Sequence, residues 1–284
     1  MRLKRRTTQS AVPESLPLRR KILTHSFMDF LQSIILGIVE GFTEFLPISS
    51  TAHLVIVSDL LKIAQTAFVK SFEIGIQFGA ILAVIILYWK KFLIDREVMK
   101  RILVAFLPTA ILGFGLYKIF KTILLDNMTV IAGAVLVGGV IIILFEKFKK
   151  EPADAIDDIQ KMSYKTSFII GIVQSIAIIP GVSRAAATIL GGLSLGLKRK
   201  TIVEFSFLLA APTMLVATGY DLLKTGANFS GDEFTLLATG FVVSFLVAIV
   251  AIKFLLRYIQ KNNFIIFGIY RIALGLVLFA FFLK

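Results

Sequence analysis

Cysteine is absent from this 284-residue chain, and charged residues are scarce at 17%. Without cysteine the protein can form no disulfide, no Cys-ligated metal site and no thiol nucleophile. A soluble domain is about a quarter charged and about half apolar. This chain is instead 57% hydrophobic, with a mean hydropathy of +0.88. The composition therefore indicates a polytopic membrane protein.

Acidic residues are also few, 18 against 31 Lys and Arg, which gives a formal net charge of +13. In a membrane protein such an excess mostly reflects basic loops on the cytoplasmic side. We therefore infer no nucleic-acid partner. The lipid bilayer is the expected partner, because anionic headgroups supply the natural counter-charge.

The first 27 residues contain no long apolar run, so they do not resemble a secretory signal. They are polar and basic and include Pro13 and Pro17. We predict that residues 1–27 form a flexible basic extension. It is either foreign to the fold or an arm that lies on lipid headgroups. Residues 28–284 are predicted to form a single integral membrane domain.

Six apolar segments have roughly the 20 residues that a helix needs to cross a bilayer. They are residues 72–88, 102–120, 128–145, 203–220, 234–256 and 264–283. Two more apolar stretches, 31–61 and 168–195, are interrupted by Pro47 and by Pro180-Gly181. Proline ends a helix because it lacks an N–H and its ring clashes with the preceding turn. Each interrupted stretch is predicted to be a re-entrant helix–loop–helix hairpin.

The two hairpins are predicted to be copies of each other. Gly37-Ile-Val-Glu40 aligns with Gly171-Ile-Val-Gln174, and the same offset places Ser49 on Ser183 and Ser50 on Arg184. Three spans follow each hairpin, and this odd number inverts the second copy. We predict an all-α polytopic fold of six transmembrane helices plus two re-entrant hairpins. It is an inverted repeat of residues 28–146 and 165–284, with its site where the hairpins meet.

Basic residues between the spans collect on one side, around residues 90–101, 147–165, 198–200 and 253–261. The positive-inside rule makes that side cytoplasmic. Both termini and the site are then expected to face the periplasm or exterior.

The first hairpin carries the chain's densest group of polar residues within an apolar region. Glu40 and Glu44 are four residues apart, which places them on one face of a helix. After the break, Ser49 and Ser50 are suitable N-caps, and His53 lies one turn into the next helix. Ionisable groups inside a membrane segment indicate a functional site. The alternatives are an amphipathic helix end with a solvated face and a merely packed histidine.

Two arginines do not belong to loops: Arg184 in the second break and Arg271 inside the last span. Buried arginines need anionic partners, and the planar guanidinium suits phosphate. Ser183 is expected to cap the helix that Arg184 opens, with Thr188 one turn further along the same face. The alternative is a pair of structural Glu–Arg contacts that lock the bundle.

Three further polar residues are secondary candidates: Glu73, Gln77 and Glu204. The two glutamates open spans, where negative charge favours a helix N-terminus without any other role. Gln77 either faces the site or bonds between helices.

Two motifs carry a family resemblance. Glu40-Gly-Phe-Thr-Glu-Phe-Leu-Pro-Ile-Ser-Ser-Thr-Ala-His53 and Pro180-Gly-Val-Ser-Arg-Ala-Ala-Ala-Thr188 resemble the signature motifs of the undecaprenyl-diphosphate phosphatase family, the bacitracin-resistance proteins of bacterial inner membranes. The resemblance covers about residues 28–284. The family commonly has Ser after the motif arginine, whereas this chain has Ala185, so any role of that hydroxyl is dispensable here.

The resemblance implies hydrolysis of the C55 isoprenoid carrier diphosphate to the monophosphate on the outer side of the inner membrane. The reaction recycles the carrier for peptidoglycan synthesis and confers bacitracin resistance. A divalent cation, Mg²⁺ or Ca²⁺, assists it. A second copy of the chain, in a homodimer, is a candidate partner.

We assign roles on that basis. Glu40 and Glu44 would bind the metal, and oxygen ligands suit these cations. Ser183, Arg184, Thr188 and Arg271 would bind phosphate. Ser49 or Ser50 would attack the terminal phosphorus with His53 as base or acid, or water would attack directly. The competing function is a transporter of the lipid carrier phosphate, because inverted repeats with broken helices are typical of transporters.

Overall fold

The computed structural model describes residues 28–119, 127–225 and 229–282, so the predicted basic extension lies outside the described residues. Within these ranges the chain is all-helical, with eleven α-helices and no β-strand. The helices are α1 (Phe30–Thr43), α2 (Ser50–Leu60), α3 (Ala67–Leu87), α4 (Trp89–Leu93), α5 (Arg96–Ile119), α6 (Met128–Phe148), α7 (Tyr164–Ser175), α8 (Arg184–Ser194), α9 (Arg199–Thr225), α10 (Gly231–Tyr258) and α11 (Ile265–Phe282).

Among the described residues, five helices are long and apolar enough to cross a membrane: α3, α5, α6, α9 and α10. The sixth predicted span corresponds to α11, which is apolar but has only 18 residues. The all-helical membrane character is thus confirmed, while the full count of six spans stays a prediction.

Both interrupted stretches are broken in the structure. The first is split into α1 and α2, and the second into α7 and α8, with a 3₁₀ turn at Ile176–Ile178. Helix α1 ends at Thr43, four residues before Pro47. Proline also disfavours helical backbone in the residue that precedes it, here Leu46. Because α1 ends three residues before Leu46, the break is longer than Pro47 alone explains.

Apart from the short α4, the two halves have the same order of helices, and one helix–helix contact recurs in both. Helix α1 packs on α10, and its counterpart α7 packs on α5. A Cβ on Gly37 would overlap the Gly240 carbonyl oxygen, and a Cβ on Gly171 would overlap that of Ala105. Small residues allow such close approach of helices where no hydrophobic effect drives association. The 134-residue offset read from the sequence therefore relates three-dimensional contacts as well.

The largest group of buried apolar side chains lies around α8 and α9 and includes Phe45, Phe205 and Phe207. Phe45 belongs to the first break and packs edge-on against Phe207 of α9, with ring centroids 5.4 Å apart. The core thus brings the first break against the second half of the chain, and this contact positions the site.

Candidate active site

The two breaks adopt matching backbone conformations where they enter their second helices. Ser49 and Ser183 both have φ of 72°, a left-handed conformation that is uncommon for residues with a side chain. Ser183 caps α8 as predicted, because its side chain accepts a hydrogen bond from the Ala186 N–H at 3.2 Å. Ser49 occupies the N-cap of α2 but its side chain makes no capping bond. Ser49 is thus at the predicted N-cap position, although its hydroxyl does not supply the capping bond.

A compact polar cluster forms where the breaks meet. The Ser50 hydroxyl donates to Glu44 Oε2 at 2.7 Å, and Arg184 Nη2 lies 3.3 Å from Glu44 Oε1. Arg184 Nη1 donates to the Ser206 carbonyl at 2.8 Å. The side chains of Arg184 and Glu44 are only 11% and 7% exposed. Residues 140 positions apart thus form one nearly dry ion pair with a serine hydroxyl attached.

This cluster forms part of the wall of a cavity of about 450 Å³. The polar side of the cavity includes Glu44, Ser49, Ser50, Ser183 and Arg184. The remaining wall is largely apolar and comes mainly from α5, α9 and the second break. Such a cavity, apolar with a few convergent polar groups, is the usual form of a ligand site.

Arg271 lies away from this cavity wall. It is fully buried, and its five N–H donors all point to backbone carbonyls. Nη1 bonds to Pro47 and Val182, Nη2 to Gly181 and Ala134, and Nε to Val135, at 2.9–3.3 Å. The predicted phosphate contact would require Arg271 to give up some of these bonds. The geometry instead makes Arg271 a clamp that joins both breaks to α6.

His53 is also directed elsewhere. Its Nδ1 lies 2.7 Å from the Ser49 carbonyl and its Nε2 lies 2.6 Å from the Tyr270 hydroxyl. The two rings are stacked, with centroids 5.5 Å apart. Because a carbonyl only accepts, Nδ1 carries the proton in this arrangement. Both ring nitrogens are engaged away from Ser50, so the structure does not bring His53 to the predicted acid–base position.

Thr188 is buried and donates to the Arg184 carbonyl at 2.8 Å, with a second contact to Gln174 Oε1 at 3.2 Å. It lies one turn below Arg184, as the spacing indicated, but within the helix packing instead of on the cavity wall. Gln174 itself contacts Thr109 and Thr213 through Nε2, at 3.0 and 3.2 Å.

Sequence reasoning missed this group of Gln174, Thr109 and Thr213, all of which line the cavity. The available signal was the alignment of Gln174 with Glu40 in the repeat. The two threonines gave no signal, because a threonine in an apolar helix is unremarkable until its neighbours are known.

The other predicted residues divide between the site and its surroundings. Glu40 is fully buried one turn before Glu44, and no donor among the described residues bonds to either of its carboxylate oxygens. Gln77 lines the cavity. Glu73 accepts a hydrogen bond from Ser58 at 3.2 Å and does not line it. Glu204 is half-buried near the start of α9, outside the site.

Comparison with known proteins agrees with these motifs. Residues 33–277 match the family model described as "Bacitracin resistance protein BacA". A protein from Sulfurihydrogenibium sp. is 54% identical over 88% of this chain and 98% of its own length. Proteins from Persephonella marina and Aquifex aeolicus are 51% and 48% identical over 89% of this chain and 99% and 98% of their own lengths.

All three relatives bear the name undecaprenyl-diphosphatase. The family model covers both breaks and the helices that hold them. By sequence, and with both motifs meeting at one cavity, the chain belongs to the BacA family of bacitracin-resistance proteins.

Proposed function

We propose that this protein is an undecaprenyl-diphosphatase, an enzyme that hydrolyses the carrier lipid diphosphate to the monophosphate and inorganic phosphate. One observation carries the proposal: the Ser50 hydroxyl donates to Glu44, which pairs with Arg184, on the wall of a cavity where both breaks meet. The relatives that bear this name are similar over nearly their whole length.

The Ser50–Glu44 contact supplies an activated nucleophile. The carboxylate accepts the Ser50 proton while Oγ forms a bond to the terminal phosphorus and the bridging P–O bond breaks. The leaving group is the lipid monophosphate. Glu44 passes this proton to the departing lipid monophosphate. Water then attacks the phosphoserine, Glu44 accepts a proton from the water, and that proton returns to the Ser50 oxygen as phosphate leaves. Direct attack by water with Glu44 as base is the other route, and the experiment below separates the two.

Arg184 supplies the charge that phosphoryl transfer requires. Catalysis of this reaction depends mostly on positioning and on positive charge around the equatorial oxygens. The Arg184 Nε has no acceptor among the described residues and is buried. A donor in that state would gain a partner when a phosphate oxygen arrives. Ser183 lines the same cavity and adds a hydroxyl.

The residues fit a divalent cation. Glu40 has two buried carboxylate oxygens that receive no donor in the described part of the chain. Within the same residues no group of three or more His, Asp and Glu converges. Mg²⁺ typically binds one or two carboxylates together with substrate phosphates. Glu40 and the Glu44 oxygen that does not face Ser50 would therefore hold the ion, and its charge would offset the negative charge that develops on the diphosphate.

The proposed setting is a bacterial plasma membrane. Six spans and two re-entrant hairpins form the inverted repeat, and the basic ends of α5, α6, α9 and α10 face the cytoplasm. The cavity then opens outward, where a carrier diphosphate released during peptidoglycan synthesis would be recycled. Hydrolysis of that carrier is also what would confer bacitracin resistance.

The test is phosphate release from a polyprenyl diphosphate by the purified protein, with and without a chelator. Serine attack predicts that Ser50→Ala lowers turnover about a hundredfold or more, as expected for loss of a group that acts in the transition state. Chelation should abolish turnover, and added Mg²⁺ should restore it.

Ser58→Ala is the matched control. Ser58 is a buried serine of the same helix that donates to Glu73 instead of Glu44. The Ser58→Ala variant should retain near-parental turnover. A folded Ser50→Ala variant with parental turnover would rule out serine attack and leave water as the nucleophile. Absence of phosphate release from the parent protein in Mg²⁺ would contradict the proposed function.

A further inference from the structure

The inverted repeat predicts two similar helix–helix contacts, each of which we call a seam. It relates α3 to α9 and α10 to α5, so the α3–α10 seam corresponds to the α9–α5 seam. If the symmetry were complete, both seams would be equally tight. They differ, and the difference lies beside the candidate active site.

The α3–α10 seam is closed. A Cβ on Gly75 would overlap the Leu237 side chain, and a Cβ on Gly79 would overlap the Phe241 backbone. Phe78 and Phe241 contact each other across the same seam, with ring centroids 6.0 Å apart. Around Gly75 and Gly79, α3 and α10 are therefore packed too closely for a ligand to pass between them.

The α5–α9 seam is open. Helix α3 has Gly75 and Gly79 at its seam, whereas α9 has no glycine before Gly219. The cavity wall takes residues from both helices, including Thr109 and Phe114 from α5 and Thr213 and Met214 from α9, and none from α10. A Cβ on Gly113 of α5 would meet no described atom within 4 Å. The gap between these helices is the cavity itself.

The cavity changes character along its length. One part of its wall holds Glu44, Ser50 and Arg184, and the part formed by α5 and α9 is mainly apolar, with Thr109 and Thr213 among its few polar side chains. Two lining residues near the seam, Phe114 and Val216, are 58% and 39% exposed on the surface that the hydrocarbon would cover. Phe114 and Tyr220 bridge the two helices edge to face, with ring centroids 5.7 Å apart. The cavity thus runs from a charged cluster to a lipid-facing gap with an aromatic pair across it.

We propose that the single polyprenyl tail of the substrate leaves the cavity laterally between α5 and α9, and that the Phe114–Tyr220 pair is the gate it passes. This inference rests on the proposed function. A pocket of 300–1,000 Å³ encloses a ligand of about drug size, so a cavity of about 450 Å³ cannot enclose a 55-carbon tail. The tail remains in hydrocarbon, where its apolar surface is not exposed to water.

The absence of cysteine allows a direct test, since any introduced pair can be cross-linked without background. In the variant Phe114→Cys/Tyr220→Cys, a reducible bis-thiol cross-linker would close the α5–α9 seam. The control Phe78→Cys/Phe241→Cys links the seam that is already closed. Turnover is measured with a C55 diphosphate and with a five-carbon isoprenoid diphosphate, before linking, after linking and after reduction.

Linking Phe114→Cys/Tyr220→Cys should lower turnover of the C55 substrate more than tenfold and leave turnover of the five-carbon substrate near its unlinked rate. Reduction of the cross-link should restore turnover of the C55 substrate. The linked control should process both substrates at its unlinked rate. As a second variant, Gly113→Phe fills the gap and should raise KM for the C55 substrate only.

Equal turnover of the C55 substrate with and without the link would overturn the gate. Equal inhibition of both substrates would show that the link distorts the catalytic cluster, and would also count against it. Competition for the C55 substrate by two-chain phosphatidylglycerol, abolished by the link, would assign the seam to phospholipid. If the unlinked parent hydrolyses neither diphosphate, the proposed function itself fails.

Discussion

At the scale of single residues, the site depends on how the donors of two buried arginines are used. Arg271 has an acceptor for each of its five N–H groups, all of them backbone carbonyls. Arg184 shares its donors between Ser206 and Glu44, and its Nε has no acceptor in the described part of the chain. Of the two, Arg184 is therefore the one equipped to bind an incoming phosphate.

Replacement of Arg184 by lysine tests that role. Lysine keeps the charge but lacks the planar fork that holds two oxygens. A charged contact made in the transition state contributes about 3 kcal/mol, or roughly two orders of magnitude in rate. Arg184→Lys should therefore fold but lose about a hundredfold in turnover, and Arg184→Ala should lose more.

Turnover and melting temperature of both variants distinguish this role from simple pairing with Glu44. If Arg184 only neutralises Glu44, the lysine variant should be largely active. The alanine variant should then fail chiefly by unfolding, because loss of one partner leaves a buried charge uncompensated. An active lysine variant would contradict the phosphate role.

At the scale of secondary-structure elements, α11 holds the two breaks in place. Tyr270 contacts His53, which bonds to the carbonyl of Ser49, and the adjacent Arg271 bonds to Pro47, Gly181 and Val182. Ser49 and Ser183, which follow these carbonyls, both have positive φ. Left-handed backbone is costly for residues with a side chain and persists where the surroundings enforce it. One helix thus maintains the same strained turn in both copies.

We predict that Arg271→Gln loosens both breaks together. Glutamine has two donors and cannot reach carbonyls of α6 and of both breaks. Each hydrogen bond to a charged group contributes about 1.5–3 kcal/mol, so the loss of several should lower the melting temperature by several degrees. Hydrogen exchange should accelerate at residues 45–50 and 179–184 together.

Lys253→Gln is the control, because Lys253 is an exposed cation that makes no such contacts within the described residues. It should change neither stability nor exchange. If Arg271→Gln raised KM with unchanged stability and exchange, Arg271 would instead bind phosphate directly, as the sequence alone suggested.

At the scale of the whole molecule, the first described residues are already packed and capped. Met28 is buried against Leu36 and Leu54, and Asp29 caps α1 through a reciprocal pair of bonds with Gln32. Residues 1–27 precede these contacts. The packed unit therefore has its own capped first helix.

Deletion of residues 1–27 should leave both turnover and melting temperature unchanged, because Met28 and the α1 cap remain. Deletion of residues 1–30 is the contrasting variant. It also removes the cap at Asp29, which is worth about 1 kcal/mol, and the buried Met28, so its melting temperature should fall. A large loss of activity on removal of residues 1–27 alone would mean that the extension belongs to the site or anchors it.

Much of the architecture could be predicted because it depends on local sequence patterns. Apolar length predicted the helices α3, α5, α6, α9, α10 and α11, and Pro47 and Pro180 predicted the two breaks. The offset of 134 residues correctly related Ser49 to Ser183, which share the same φ. Glu44, Ser50 and Arg184 were singled out because charge and hydroxyls are conspicuous in an apolar region.

The sequence by itself determined a helical membrane protein with two interrupted helical stretches and conspicuous polar residues at both breaks. Hydropathy, proline and charge could show this because each is read from residues that are close together in the sequence. Only the tertiary structure decided which donor meets which acceptor. It directed Arg271 to carbonyls, turned His53 towards Tyr270 and surrounded Gln174 with threonines. It also opened the α5–α9 seam while closing its counterpart, because the width of a seam depends on two helices distant in sequence, and no local pattern records their distance.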